Sequence, residues 1–187
     1  MTETLSDPIV NGIDTAGLEG ATRAIAADPA NGQTHWCVTS RWVGGTRSDH
    51  QIDSCRIGDT EVPRKFKLST DEPTELCGTN QHANPQEYLL SALNACMMVG
   101  YAAVAARMGV TLTKLEVRTT GDIDLRGFLG IDPSVSAGYE SLQQTVRLAG
   151  DGTPEQLAKI HETVKATSPN FFSVTRAVPT TSRLEIG

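Results

Sequence analysis

The sequence lacks the cysteine pattern of a structural metal site. Its four cysteines lie at least 18 residues apart, so no CxxC pair occurs, and no Cys/His cluster has the spacing of zinc ligands: Cys37, Cys55, Cys77 and Cys96. Zinc sites are recognisable by close ligand pairs. We therefore expect no structural metal, and the cysteines must be interpreted singly.

Clusters of positive charge are also missing. The chain has 16 Lys and Arg against 22 Asp and Glu, a net charge of −6, and never more than two adjacent basic residues. This balance disfavours binding to nucleic acid or to an anionic membrane surface. The first ten residues, MTETLSDPIV, contain neither the basic segment nor the apolar run of a secretory signal. We therefore expect a cytoplasmic protein with reduced thiols.

The chain divides into two predicted regions. Residues 1–33 are predicted to be an N-terminal helical extension, with a helix near residues 15–27 that the turn-rich DPANG bounds. Residues 34–187 form the main domain. It opens with alternating segments that predict strands, the first two joined by a GGTR hairpin turn: 35–43, 48–57 and 64–69.

A long helix is predicted from Asn84 to Met108. Asn84 suits the N-cap, Pro85 the first helical position, and Glu87 the third position of a capping box. Gly109 stands where a C-terminal glycine cap belongs. The helix carries no charge from residue 88 to 106, so we expect it to be buried.

This helix places a cysteine in its apolar stripe. Cys96 shares a predicted face with Leu89, Leu93, Gly100 and Ala103, and the small residues would let another helix approach closely. The segment is just long enough to span a membrane. We reject that interpretation because the helix is rich in alanine, includes polar residues, and stands alone in a soluble pattern.

The rest of the chain completes an α+β order without regular βαβ alternation. Strands are predicted at 110–125, 141–148 and 178–186, and an irregular segment follows the first of them. Thr153 is predicted to cap a second helix, which is amphipathic and carries His161. The segment TSPNFFS is predicted to end this helix.

Several ordered motifs resemble the OsmC/Ohr family of osmotically induced and organic-hydroperoxide-resistance proteins. They are NPQEYLLSALNAC, the preceding Gly78-Thr79-Asn80, and the Ser168-Pro169 break after the second helix. The segment 121–135 resembles one OsmC-like branch that often has an N-terminal extension. The resemblance implies an OsmC-like fold, with antiparallel sheets around two central helices, in an intertwined homodimer. It also implies a thiol-dependent peroxidase of organic hydroperoxides whose site lies near the subunit interface.

The resemblance carries three site residues onto this chain. Cys96 matches the reactive cysteine, and Arg47 lies near the arginine of the family's GGR-type turn, with Arg41 as a fallback. Glu87 matches the acidic position of the OsmC-like branches, whereas the Ohr-type position is Gln86. It is nine residues, roughly 13 Å along a helix, from the cysteine, so it would act by orienting Arg47.

One family feature is absent. The motif that holds the resolving cysteine reads Ser168-Pro169 here, and no cysteine follows Cys96. The intramolecular disulfide step is therefore missing, and an external thiol or dithiol must reduce the oxidised cysteine. Cys77, in the loop before the helix, is a second but less favoured reductant. No metal, flavin or nucleotide cofactor is expected.

Two functions remain open. In the first, an arginine favours the Cys96 thiolate and donates hydrogen bonds to the peroxide, and the apolar helix selects organic peroxides. In the second, the protein is non-catalytic and binds a small hydrophobic ligand in its dimer cavity. Without the resemblance, Cys96 would be interpreted as a small core residue, Arg47 as a solvated turn residue and Glu87 as a capping residue.

Overall fold

The computed structural model describes residues 9–187 and confirms the predicted α+β class. Its helices and strands follow in this order: β1 (Ile9–Val10), β2 (Ile13–Asp14), α1 (Thr15–Ala27), β3 (Thr34–Trp36), β4 (Thr39–Gly44), β5 (Arg47–Ile57), β6 (Thr60–Thr70), α2 (Pro85–Arg107), β7 (Leu112–Thr120), α3 (Leu125–Phe128), β8 (Gln143–Gly150), α4 (Pro154–Thr167) and α5 (Pro169–Thr175). These form two compact units. Residues 14–89 belong to the first, and residues 10–13 and 90–187 to the second.

The first unit contains a four-stranded antiparallel sheet. Strand β5 is central: β6 pairs with one edge, and β4 and β3 pair in turn along the other. The predicted GGTR hairpin is confirmed, because Gly44 and Gly45 both have positive φ, at 122° and 55°, between β4 and β5. Glycine adopts this backbone region at little cost. The strand predicted at 35–43 is interrupted between β3 and β4.

The long helix α2 begins and ends where its caps predict. The N–H of Glu87 donates to Oδ1 of Asn84 at 2.9 Å, and the N–H of Asn84 donates to Oε2 of Glu87 at 2.8 Å, a complete capping box. At the other end, Gly109 has a φ of 67°, and the N–H of Val110 donates to the carbonyl of Ala105 at 2.9 Å.

The buried face of α2 differs from the predicted one. Four of its five buried residues follow a spacing of four, namely Leu93, Met97, Tyr101 and Ala105, and the fifth is Ala106. Leu89, predicted to share the buried face, is 43% exposed, and Cys96 is half-buried. The helix is uncharged on every side across this segment, so apolar spacing alone could not identify which face packs.

The second unit is a β7–β8 hairpin packed with α2 and α4. Ile160 and Val164 of α4 are fully buried with the α2 face. The irregular segment after β7 includes the short helix α3. The capping box of Thr153 and Gln156 that opens α4 is confirmed. Helix α5 begins directly after α4, where a break without helix was predicted.

The strand predicted at 178–186 does not form. The chain after α5 has no regular secondary structure, and Val178, Leu184 and Ile186 are exposed. A strand needs a hydrogen-bonding neighbour, and no strand among the described residues pairs with this segment. The alternating pattern was therefore insufficient to specify a strand within one chain.

The N-terminal helix is confirmed within residues 15–27. Just before it, Asn11 has a φ of 55° and joins the β1–β2 turn to the residues where β7 begins. Its amide donates to the carbonyl of Val110 at 2.9 Å and accepts the N–H of Leu112 at 2.8 Å. Residues 1–8 of the predicted extension lie outside the described residues, and the division at residue 33 stays a prediction.

Among residues 9–187, one helix, α2, is long and apolar enough to cross a membrane by length and composition. The core helix of a soluble protein meets the same criteria, and α2 contributes four residues to the main buried cluster of its unit. The absence of a membrane partner therefore stays a prediction.

Candidate functional site

Cys96 lies in the middle of α2 and is half-buried. The hydroxyl of Ser168 donates to its sulfur, with 3.4 Å between Oγ and Sγ. Cys55, in contrast, is 4% exposed inside the first unit, and Cys37 and Cys77 are exposed. Cys96 therefore combines partial access with a polar contact to its sulfur.

Ser168 is held at the junction of two helices. Its N–H donates to the carbonyl of Val164 at 2.9 Å and ends α4, while its Oγ accepts the N–H of Phe171 at 3.4 Å and begins α5. The amide of Asn170 also donates to the carbonyl of Ala92 on α2 at 2.8 Å. Ser168 is 5% exposed, so its hydroxyl is fixed and shielded from water.

A close approach between α2 and α4 accompanies this contact. A Cβ added at Gly100 would lie 3.1 Å from Cγ1 of Val164, closer than ordinary carbon contacts. Gly100 follows Cys96 by four residues, and Val164 precedes Ser168 by four. The two contacts are therefore one helical turn apart, and α2 and α4 run antiparallel here. The predicted approach of a second helix at the small residues is observed.

Arg47 is exposed at the first position of β5, just after the hairpin turn. In the part of the chain that the structure describes, its guanidinium makes neither a hydrogen bond nor an ion pair, and none joins it to Glu87. The Glu87 carboxylate instead closes the α2 capping box. Arg41, the alternative cation, is an exposed residue of β4 that pairs in register with Asp49. The roles of Arg47 and Glu87 stay predictions.

A buried carboxylate that sequence analysis missed organises the same turn. Asp71 is fully buried, and its oxygens accept hydrogen bonds from both the GGTR turn and the loop before α2. The donors are the hydroxyl of Thr46 at 2.7 Å, the hydroxyl of Thr79 at 2.6 Å, and the N–H groups of Glu72, Thr79 and Gln81. The hydrogen bonds from Thr79 and Thr46 hold the pKa of Asp71 well below its usual range. No motif in the polar DEPTEL segment marks this residue.

A second polar pair joins buried Tyr101 to the partly exposed His161 beside the core. The hydroxyl of Tyr101 lies 2.5 Å from Nδ1 of His161, and the two rings stack. Burial, with the charge of Glu162, raises the pKa of Tyr101 to about 12. His161 thus has a hydrogen-bonding partner on α2.

An open cavity of about 790 Å³ lies in the segment between β7 and β8 of the second unit. Its lining includes Asp122, Ser134 and Glu140, and does not include Cys96. Asp124, also in the lining, caps α3 and forms an ion pair with Arg126. The hydrogen bonds from Arg126 lower the pKa of Asp124 to about 2. Within residues 9–187, no group of His, Cys, Asp and Glu has the geometry to hold a metal ion.

Comparison with known proteins identifies the family. A family model described as OsmC-like protein matches residues 78–183, a segment that includes both Cys96 and Ser168. The chain belongs to the OsmC-like family. No curated protein sequence matches it significantly. The remaining similarities are to solved structures, at low sequence identity.

An OsmC-like protein from Mycoplasma pneumoniae is 16% identical, with a TM-score of 0.58 over 75% of this chain and 86% of that one. An OsmC-like protein of unknown function from Vibrio cholerae is 15% identical, with a TM-score of 0.52 over 74% and 92%. These two establish the OsmC-like fold. An OsmC-like hydroperoxide resistance protein from Jannaschia sp. is 21% identical over 82% and 93%, with a TM-score of 0.46.

Proposed function

We propose that this OsmC-like protein reduces organic hydroperoxides with Cys96 as the nucleophile. The observation that carries the proposal is that Cys96 is half-buried on the family helix and that its sulfur contacts the Ser168 hydroxyl, with 3.4 Å between Sγ and Oγ. A cysteine that only filled space would need neither partial access nor a polar partner. The apolar surroundings on α2 favour an organic peroxide over hydrogen peroxide.

In the proposed reaction, the Cys96 thiolate attacks the terminal oxygen of the hydroperoxide. An S–O bond forms as the O–O bond breaks, and the electron pair leaves with the alkoxide, which takes a proton to become the alcohol. The sulfur is oxidised by two electrons to sulfenic acid. An external thiol then attacks it, releasing water and leaving a mixed disulfide, and a second thiol frees Cys96.

The cation in this scheme is Arg47, whose guanidinium would favour the thiolate and stabilise the developing alkoxide. Arg47 is exposed and has no ion-pair partner in residues 9–187, so it is available for a substrate. Asp71 fixes the neighbouring Thr46 and hence the turn that carries Arg47. Glu87 is proposed to orient Arg47. The cycle uses no metal or organic cofactor.

The reductant is proposed to be an external thiol or dithiol, because no cysteine follows Cys96 and Ser168 stands where the family resemblance would place the resolving cysteine. Such thiols are abundant in the cytoplasm, which we propose as the location.

The first test is turnover of cumene hydroperoxide with dithiothreitol, comparing the wild type with Cys96→Ser. We expect a robust wild-type rate that the variant loses, with Cys77→Ser retaining it as the matched control. Background rates in the wild type with several dithiols would reject the peroxidase and favour the ligand-binding alternative. Loss of turnover in Cys77→Ser would instead identify Cys77 as the reductant of the sulfenic acid.

A paired test identifies the cation. Arg47→Ala should reduce kcat/KM for cumene hydroperoxide by about two orders of magnitude, the scale of one lost transition-state donor. Arg41→Ala, an exposed arginine of the adjoining strand, should leave the rate unchanged. The reverse result would assign the role to Arg41.

We propose that the working form is a homodimer, as the family resemblance implies. Within one chain, Trp36 and Trp42 of the first unit and Val99 of α2 are 62%, 75% and 68% exposed. Large exposed apolar side chains commonly mark an interface. Light scattering should give the mass of two chains across a range of protein concentrations, and a monomer at micromolar concentration would contradict the proposal.

A further inference from the structure

We infer that Ser168 activates Cys96, donating a hydrogen bond first to its thiolate and then to the sulfenate that peroxide produces. The inference deepens the proposed function and rests on it. It assigns a role to a serine at the position where the resemblance would place a resolving cysteine. In this chain the residue touches the reacting sulfur and forms no covalent bond to it.

The direction of the hydrogen bond follows from the partners of the hydroxyl. A serine hydroxyl has one hydrogen to donate and two lone pairs that accept. The N–H of Phe171 already donates to Oγ, at 3.4 Å, so this contact uses a lone pair. The hydrogen is left for Cys96 Sγ, at 3.4 Å. An anionic sulfur accepts such a bond more strongly than a neutral thiol, so the contact favours the thiolate.

The hydroxyl is also preorganised. The Ser168 backbone is fixed by the hydrogen bond from its N–H to Val164, and Asn170 ties the start of α5 to Ala92 of α2. Ser168 is 5% exposed, so water competes little for its hydrogen. A donor that is already oriented loses little entropy when the charge on the sulfur appears.

The same contact protects the oxidised state. A thiol at this position would attack the sulfenic acid and form a disulfide, whereas a hydroxyl stabilises the sulfenate oxygen or sulfur by hydrogen bonding alone. Cys96 should therefore remain as sulfenate until a thiol arrives from outside. Cys96 is half-buried and not fully enclosed, so we expect that thiol to reach its sulfur.

The test measures thiol reactivity directly. In a background with Cys37→Ser and Cys77→Ser, iodoacetamide at neutral pH should alkylate Cys96, because Cys55 is buried. Ser168→Ala should slow this reaction about tenfold, the scale of a lost hydrogen bond to a charged group, and should move the pH profile of the rate upward. Ser168→Thr should restore the parent rate because it keeps the hydroxyl.

Two further variants separate activation from helix capping. Thr153→Ala removes an equivalent N-cap contact from α4, away from Cys96, and should leave alkylation unchanged. Ser168→Gly removes the hydroxyl at a smaller capping cost, so it tests the inference if Ser168→Ala does not fold. Trapping with a dimedone probe after cumene hydroperoxide should show less sulfenate in both hydroxyl-free variants.

The outcomes distinguish this inference from the proposed function. Alkylation within twofold of the parent in Ser168→Ala or Ser168→Gly would overturn it, even with robust peroxidase turnover. Slow alkylation in these variants beside background wild-type turnover would reject the peroxidase alone and keep Ser168 as the activator of Cys96. Equal slowing by Thr153→Ala would reduce the effect to helix stability and also overturn the inference.

Discussion

Replacement of Gly100 by alanine tests whether α2 and α4 pack too closely at this position to accommodate a β-carbon. Alanine would improve the helix by about 1 kcal/mol relative to glycine. Its Cβ, however, would lie 3.1 Å from Cγ1 of Val164, whereas non-bonded carbon atoms prefer a separation of about 3.5–4.0 Å. Val164 is fully buried in the core of the second unit, so its movement would have to displace packed neighbours. Overpacking costs about 1–3 kcal/mol, so we expect Gly100→Ala to destabilise by about 1 kcal/mol.

The double variant Gly100→Ala/Val164→Ala tests whether the predicted loss of stability comes from the contact between these two residues. Val164→Ala alone removes two buried methyl groups and should cost about 2 kcal/mol. In Gly100→Ala/Val164→Ala the close contact disappears and the new methyl group fills part of the cavity. The helix gain of about 1 kcal/mol is then realised. The double variant should therefore be more stable than the sum of the single changes by about 2 kcal/mol.

The assay is urea unfolding of the four proteins, followed by circular dichroism at one protomer concentration. Gly20→Ala is the matched control, because Gly20 lies within α1 and a Cβ there meets no atom within 4 Å. We expect it to stabilise the protein by up to about 1 kcal/mol. Additive effects of the two changes, within about 0.5 kcal/mol, would refute the reasoning.

The same variants link packing to chemistry. Gly100 and Val164 make their contact one helical turn from Cys96 and Ser168. Forcing α2 and α4 apart should lengthen the hydrogen bond from Ser168 Oγ to Cys96 Sγ and slow alkylation of Cys96. The double variant should recover the rate, whereas an unchanged rate in Gly100→Ala would show that the two contacts are independent.

Three further predictions concern polar contacts. Hydrogen bonds hold the folded-state pKa of Asp71 below its unfolded-state value, which is near 4. The Asp71 carboxylate therefore stabilises the folded state above about pH 4, and this stabilisation is lost as the pH falls towards the folded-state pKa. The urea midpoint of the wild type should therefore exceed that of Asp71→Asn at neutral pH, with the difference shrinking towards about pH 2; a constant difference would contradict this. Asn11→Gly keeps the positive φ and loses the hydrogen bonds to Val110 and Leu112, so urea unfolding should show a loss of stability of about 1–2 kcal/mol. No loss would mean that these two hydrogen bonds make no net contribution. Tyr101→Phe removes the hydrogen bond to His161 and should cost about 1 kcal/mol in the same assay, with a change below about 0.3 kcal/mol arguing against a net contribution.

Local chemistry made the boundaries of the helices predictable. Asn84, Glu87 and Gly109 specify α2 through contacts within a few residues, and the structure forms each of them. The glycine pair at Gly44 and Gly45 likewise specifies the β4–β5 turn. Such features depend on side chains and backbone close in sequence, so no tertiary information is needed to find them.

The site depends on contacts that sequence spacing does not encode. Ser168 and Cys96 are 72 residues apart, and their contact follows from the packing of α4 on α2. Asp71 gathers donors from two loops on either side of it, a role that a single polar residue in a polar segment does not signal. The family resemblance identified Cys96 and position 168, and only the structure showed their hydrogen bond.

The segment 178–186 is the case in which pattern and structure disagree most. Its alternation predicts a strand, yet Leu184 and Ile186 are 83% and 88% exposed and no described strand pairs with it. Alternation records which side chains favour burial and supplies no hydrogen-bonding neighbour. A strand from a second copy of the chain would supply one, which agrees with the proposed homodimer. The exposed apolar residues of this segment and the missing strand would then have the same cause.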